Sequence, residues 1–519
     1  PNILFLLTDD QDLLLDSMSP SGPMQQTRKL LVDQGVWFDN AFAATPICCP
    51  SRAEILTGRY MHNIGVPDNG CGGKAFQEGP EKQNVAHYLR SQGNYSTFYA
   101  GKYLNNYGTA AAGGVKHIPR GWDQWFGLVG NSKYYNYSLS NNGVEEKHGS
   151  DYHKDYFTDY VANASVNFLD QHFSTGESGP VFMMMAPPAC HGPNDPAPQY
   201  SQSHRGERSP RLPSWNVAPN PDKSYLMREI IPMDQRHINV SDVTFQRRWS
   251  VLQSVDDMVV RLVDTLKRYN QLDNTYIVYT SDHGYHLGEF AMLYDKRMLY
   301  ETDIRVPLFV RGPNVPKQQS VSGVVSHIDL TPTILDMAHL THPKQMDGRS
   351  WLPLATGKTS QWRHDILIEY NGPSLDHIDP QTQNDQAAEA LFHGQQPACY
   401  AKADDEESLT GACSCTVGAM TGQVHDISPC DDKNNTYKCV RTLGDVSYDG
   451  RYNNSIYCEF DDPEHFVEFY DLDADPYNLH NLAQTTPAPV LQSLHQRLSE
   501  LMHCAGADCF DPDSHDLVE

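Results

Sequence analysis

Ile3-Leu4-Phe5-Leu6-Leu7-Thr8-Asp9-Asp10 opens the chain with five apolar residues that run straight into a hydroxyl and two carboxylates. An uninterrupted apolar run of this length, closed by polar residues, is the pattern of a strand buried on both faces. It returns three times. Tyr276–Thr280 leads into Ser281-Asp282-His283-Gly284, Thr97–Ala100 into Gly101-Lys102, and Val181–Ala186, after two prolines, into His191. In an open α/β sheet the carboxyl ends of the strands line the binding crevice. Four separate segments thus deliver acids, a base and a cation to one edge. The expected fold class is α/β, a large and mostly parallel central sheet flanked by helices.

Outward from these strands, Trp249, Leu252, Val255, Val259, Leu262 and Leu266 recur at steps of three and four, which predicts a helix from Phe245 to Tyr269 with a core-facing stripe. After Pro353 the texture changes. Residues 374–450 are polar and rich in cysteine, the pattern of loops tied by disulfides. Phe466–Tyr470 reads as a strand, and Leu491, Leu494, Leu498 and Leu501 mark a terminal helix after Pro487 and Pro489. The natural division is a catalytic domain over 1–364 and a smaller, disulfide-rich α+β domain over 365–519, with an antiparallel sheet and the terminal helix.

Composition narrows the function. A net charge of −26 excludes a general binder of nucleic acid or anionic membrane, and no stretch approaches 18 uninterrupted apolar residues, so no membrane span is expected. The chain opens on a strand with no signal peptide before it, as in a processed secretory protein or a trimmed chain. Eight of the twelve cysteines (Cys399, Cys413, Cys415, Cys430, Cys439, Cys458, Cys504 and Cys509) crowd the last quarter without paired CxxC spacing, which points to disulfides rather than zinc. Glycosylation acceptor sites begin at Asn94, Asn136, Asn163, Asn239, Asn434 and Asn453. Together these favour the secretory pathway, with a lysosomal or secreted destination. A polyanionic substrate would be repelled by the −26 charge at neutral pH, but 23 histidines would offset most of it near pH ~5.

Asp9, Asp10 and Asp282 offer hard carboxylate oxygens, which suit Ca²⁺ or Mg²⁺ better than zinc; the plainer alternative is strand-end and helix-capping aspartates. The sharpest segment is Cys48-Cys49-Pro50-Ser51-Arg52-Ala53-Glu54-Ile55-Leu56-Thr57-Gly58-Arg59. Pro50 suits the first turn of a helix and Gly58 its end, so Cys48 lies at a helix N-terminus, where free N–H groups and the dipole attract an anion. Arg52 follows one turn later. Taken bare, this is a reactive thiol beside a cation, or else a structural Cys-Cys pair.

That run resembles the motif of the type I sulfatases at every fixed position. The likeness extends through Gly101-Lys102, Ser281-Asp282-His283-Gly284, Asp295-Lys296-Arg297, Asp347-Gly348-Arg349-Ser350 and Tyr470-Asp471-Leu472. Within the family it is greatest to N-acetylglucosamine-6-sulfatases and, next, to extracellular heparan endosulfatases, on Gly101-Lys102-Tyr103-Leu104-Asn105, Asn131-Ser132-Lys133-Tyr134-Tyr135-Asn136-Tyr137 and Cys458-Glu459-Phe460-Asp461-Asp462. The resemblance implies an alkaline-phosphatase-like sandwich. It also implies that a formylglycine-generating enzyme oxidises Cys48 to formylglycine during maturation. Asp9, Asp10, Asp282, His283 and residue 48 would hold Ca²⁺, with Mg²⁺ as an alternative. Arg52 would hold the hydrated aldehyde, Lys102 and Lys296 would neutralise the sulfate, and His191 would bind substrate and protonate the leaving alcohol. The substrate would be a sulfated glycan of heparan or keratan sulfate type carrying 6-O-sulfate on N-acetylglucosamine, or an aryl sulfate.

Three positions depart from the family pattern: Leu104 stands where many members carry a histidine, His283 where asparagine is frequent, and Cys190 where proline precedes the histidine. The base for sulfate expulsion is therefore unassigned. His62 has either a substrate role or a helix-end packing role. Rival readings are a broad arylsulfatase or extracellular glycan sulfatase, a phosphatase or phosphodiesterase of the same superfamily, and a sulfated-glycan binding protein with an unconverted Cys48.

Overall fold

The apolar run at the N-terminus, Asn2–Thr8, lies in the middle of a ten-stranded sheet, in a computed structural model that describes residues 1–71, 73–176, 179–228, 230–372, 434–444 and 452–510. From one edge the order is Gln319–Val321, Val36–Phe38, Leu308–Arg311, Thr275–Ser281, Asn2–Thr8, Val181–Ala186, Ser96–Lys102, Gln124–Leu128, Ser138–Asn141, Val144–Lys147. The four strands expected to carry the chemistry are adjacent and mutually parallel, with Thr8 beside Ser281, Leu6 beside Met185 and Gly101 beside Ala186. Their carboxyl ends therefore finish on one line.

Side chains alternate across the pleat. Ile3, Phe5 and Leu7 enter one core, while Leu4 and Leu6 enter the other, and none is more than 1% exposed. The first core takes the helix Cys48–Thr57 and the second takes the helices Phe157–Ser174 and Gln235–Arg268, which makes a helix–sheet–helix sandwich. Toward its edges the sheet turns antiparallel, so it is mixed overall: Leu308–Arg311 runs against both neighbours, and Ser138–Asn141 against both of its own. Asn142 and Gly143, both at positive φ, form the tight turn that sends Val144–Lys147 back along its neighbour.

The helix expected from Phe245 begins ten residues earlier, at Gln235. Asp234 caps it by accepting from the N–H groups of Arg236 and His237. The added turns are mostly polar and carry little of the apolar stripe that betrayed the rest. A second sheet, antiparallel throughout, has the order Asp365–Tyr370, Tyr437–Leu443, Asn454–Phe460, Val467–Asp471. The terminal helix Ala488–His503 covers it, burying Leu498 and Leu501. Disulfides join Cys439 to Cys458 across neighbouring strands of this sheet and Cys504 to Cys509 beyond the helix; Cys399, Cys413, Cys415 and Cys430 lie outside the described residues. Asn94, Asn136, Asn163, Asn239 and Asn453 are exposed, and Asn434 is half-buried against the Tyr225 hydroxyl. Among the described residues no helix is long and apolar enough to cross a membrane.

Candidate active site

Each strand end delivers its polar residues to one buried cluster. Asp9 accepts from Lys102 Nζ at 2.7 Å and from the Ser132 hydroxyl, while Asp10 receives Lys296 Nζ at 2.8 and 3.0 Å on its two oxygens. Just before Lys102, Gly101 at φ +132° lies against the Ala186 backbone; a Cβ there would come within 2.0 Å of the Ala186 carbonyl oxygen.

The helix Cys48–Thr57 points its N-terminus into this cluster, with Pro50 in its first turn and Gly58 ending it in the left-handed conformation. Cys48 Sγ lies 3.4 Å from His283 Nε2 and 3.9 Å from an Asp9 oxygen. Arg52 Nε donates to Asp282 at 2.8 Å and its Nη1 to the Lys102 carbonyl at 2.8 Å; Nη2 faces Asp9 at 3.6 Å and makes no hydrogen bond. His283 Nδ1 pairs with the Gly284 carbonyl at 2.9 Å, which leaves Nε2 facing Cys48, Asp10 and Asp282. Half-buried His191 completes the cluster. One ligand atom from each of Asp9, Asp10, Cys48 and His191 lies within 4.8 Å of the others, and the same holds for Asp9, Cys48, Asp282 and His283.

The electrostatics follow from crowding. Burial works to raise the Asp9 and Asp10 carboxyls, but Lys102 beside one and Lys296 beside the other hold both well below the usual range. Asp282 goes the other way: burial, against the pull of His283 and with the push of Asp9, lifts it to about 6. Burial alone would lower His283, yet Asp282 and Cys48 carry it up to about 9. Burial also opposes ionisation of Cys48, but Lys102 and Lys296 bring its thiol well below the ordinary value. His191 is raised, burial being outweighed by Asp10.

Three carboxylates converge here, and one of them is driven toward protonation. That oxygen-rich donor set fits a hard divalent cation, and two overlapping groups could hold one: Asp9, Asp10, Cys48 and His191, or Asp9, Cys48, Asp282 and His283. Every residue singled out from the sequence for catalysis or metal binding thus lies in this cluster. His62 does not: it sits beyond the far end of the helix, with Nδ1 on Glu369 at 2.9 Å and Nε2 facing the Cys504 carbonyl at 3.1 Å. Leu104 is fully buried, and the Cys190 thiol faces the Asp10 carbonyl at 3.6 Å.

Two features escaped the sequence. Cys49 is tied to Cys71, so Cys48 is the free thiol of the pair. Ser132 reaches Asp9 from a stretch with no evident chemistry of its own. A serine in a loop and a cysteine 22 residues away carry no local signal of either role.

The profile of the Sulfatase family matches residues 1–340. The chain is 42% identical over 519 residues to N-acetylglucosamine-6-sulfatase of Homo sapiens, covering 99% of this chain and 86% of that one. It is 43% identical over 378 residues to an extracellular sulfatase SULF-1 homolog of Drosophila melanogaster, covering 72% of this chain and 33% of that one. A solved structure in complex with its substrate D-glucosamine-2-N,6-O-disulfate superposes with a TM-score of 0.72 at 21% identity, over 96% of this chain and 97% of the other.

Proposed function

The chain belongs to the sulfatase family, and from that premise we propose that it removes 6-O-sulfate from N-acetylglucosamine residues of sulfated glycans, using a formylglycine made from Cys48 and a divalent cation, Ca²⁺ or Mg²⁺. The observation that carries this reading is the position of Cys48: a free thiol at a buried helix N-terminus, 3.4 Å from His283 and ringed by Asp9, Lys102 and Lys296. The glucosamine 6-sulfate assignment leans on near full-length identity to N-acetylglucosamine-6-sulfatase.

Formylglycine, once hydrated, supplies an oxygen nucleophile for sulfur and a second hydroxyl for release of sulfate. Asp9, Asp10, Asp282 and His283 would hold the cation, whose positive charge acidifies a bound hydroxyl and offsets sulfate charge. The chain's own residues do the rest. Arg52 is anchored by Asp282 and the Lys102 carbonyl, and its Nη2, facing Asp9 at 3.6 Å without a hydrogen bond, is left free to hold the hydrated aldehyde. Lys102 and Lys296 are ammonium groups with three donors each, so N–H groups remain for sulfate oxygens after their bonds to Asp9 and Asp10. His191 pairs Nδ1 with the Gly192 carbonyl at 2.8 Å, which puts the transferable proton on Nε2, and its raised pKa keeps that proton available for the leaving alcohol.

The phosphatase reading calls for two metal sites. Among the described residues the two ligand clusters share Asp9 and Cys48, which is one site. Maturation by a formylglycine-generating enzyme and passage through the secretory pathway, to a lysosomal or extracellular destination, belong to the same proposal. It is tested by assaying a 6-sulfated glucosamine oligosaccharide beside a chromogenic aryl sulfate. Release of sulfate from the sugar at the higher kcat/KM supports it; turnover of the aryl sulfate alone would leave a broad arylsulfatase.

A further inference from the structure

We propose that Tyr134 and Arg248 are positioning residues that hold the backbone around His191 and so aim its Nε2 proton at the leaving group. This inference rests on the reading of His191 as the leaving-group acid.

His191 follows the strand Val181–Ala186 in a loop whose carbonyls are gripped from outside. The Tyr134 hydroxyl, fully buried, lies 2.9 Å from the His191 carbonyl and 3.3 Å from that of Pro188. Arg248, on the helix Gln235–Arg268 and 1% exposed, donates Nη1 to the Cys190 carbonyl at 3.3 Å. Its Nη2 donates to the Asp10 carbonyl at 2.7 Å and to Asp12 at 2.8 Å, and the guanidinium lies 3.9 Å from the centre of the Tyr285 ring. The same loop is stitched to the Asp9 backbone by bonds of 2.9 and 2.6 Å. The Asn194 amide, turned with its nitrogen inward, reaches the Cys190 and His191 carbonyls at 2.7 and 2.9 Å.

These contacts bear on chemistry because of how His191 is oriented. Its Nδ1 bonds to the carbonyl of the next residue, Gly192, so the ring direction is dictated by the backbone. Whatever shifts the loop shifts Nε2, and a displacement near 1 Å can cost on the order of a hundredfold in rate. Arg248 clamps the Asp10 carbonyl and the Cys190 carbonyl with one rigid fork, so it fixes the acid and the Asp10 carboxylate relative to each other. Tyr134 comes from the same short segment as Ser132, which bonds Asp9, and that stretch thereby acquires a purpose.

The test is a double-mutant cycle on the full chain. Tyr134→Phe keeps shape and removes one donor. It should lower kcat/KM for a sugar 6-sulfate by about tenfold, with a much smaller loss for nitrophenyl sulfate, whose leaving group needs little proton. In a His191→Ala background the same substitution should cause no further loss. Arg248→Lys, which keeps the charge but loses the fork, should likewise lose more on the sugar sulfate than on nitrophenyl sulfate, and its loss should shrink but not vanish without His191, because the same fork holds the Asp10 carbonyl. Equal fractional losses with and without His191, for both variants, would overturn the proposal. If His191→Ala itself damages both substrates alike, the acid reading fails. Disappearance of the Tyr134→Phe effect in that background would still uphold positioning.

Discussion

Arg52 Nε and Asp282 Oδ2 meet at 2.8 Å with both side chains fully buried, and this pair locks the helix that carries Cys48 to the strand end that carries the metal-type ligands. Removing one partner of a buried ion pair leaves an uncompensated charge, a loss of roughly 3–5 kcal/mol. Asp282→Ala should therefore lower stability and abolish turnover. If the proposed cation site is real, Ca²⁺ should raise the Tm of the unsubstituted protein, a ligand-linked effect of about 2.7 kcal/mol at hundredfold excess over Kd, and Asp282→Ala should erase that rise. Calorimetry with and without chelator reads both. Full activity, or an unchanged Ca²⁺ shift, would show that Asp282 holds no cation.

His191 is tested through leaving-group basicity. A sugar 6-sulfate expels a strongly basic alkoxide, whereas nitrophenyl sulfate expels a weak base, so His191→Ala should damage the first far more, by about a hundredfold or more in kcat/KM. Equal losses on both substrates would assign His191 to binding sulfate and move the acid elsewhere.

His62 and Glu369 make a pH-dependent tie between the two sheets' units. For His62, burial is outweighed by the bond to Glu369, and the net pKa is raised above the ordinary 6.5; its stabilisation is present below that value and is lost as pH rises through the folded pKa. For Glu369, burial is outweighed by Lys438 and then His62, and the net is lowered below the ordinary 4.5, so its stabilisation is present above that value and is lost as pH falls. The pair contributes most between about 4.5 and 6.5. The loss of Tm on His62→Gln should therefore be larger near pH ~5 than near pH ~8. A loss independent of pH would mean that the imidazole packs without its charge.

The strand ends were legible because buried parallel strands are continuous apolar runs, and a polar residue just after one has to face the crevice; Asp9, Asp10, Lys102, His191 and Asp282 all announced themselves in this way. The antiparallel edges did not, since Ser138–Asn141 and Val144–Lys147 are short and mostly polar. Contacts formed only by tertiary packing were invisible: Ser132 on Asp9, Tyr134 on the His191 carbonyl, and Cys71 on Cys49. His62 lies beside the motif in sequence, yet the helix carries it away from the cluster to Glu369.

Whether Cys48 becomes formylglycine decides the central claim. Active protein from a secretory host, reduced, alkylated and digested with trypsin, yields the peptide from Leu30 to Arg52. Mass spectrometry should find an aldehyde at Cys48 and an alkylated thiol at Cys49, released from its bond to Cys71. An active preparation carrying an intact, alkylatable thiol at Cys48 would contradict the account.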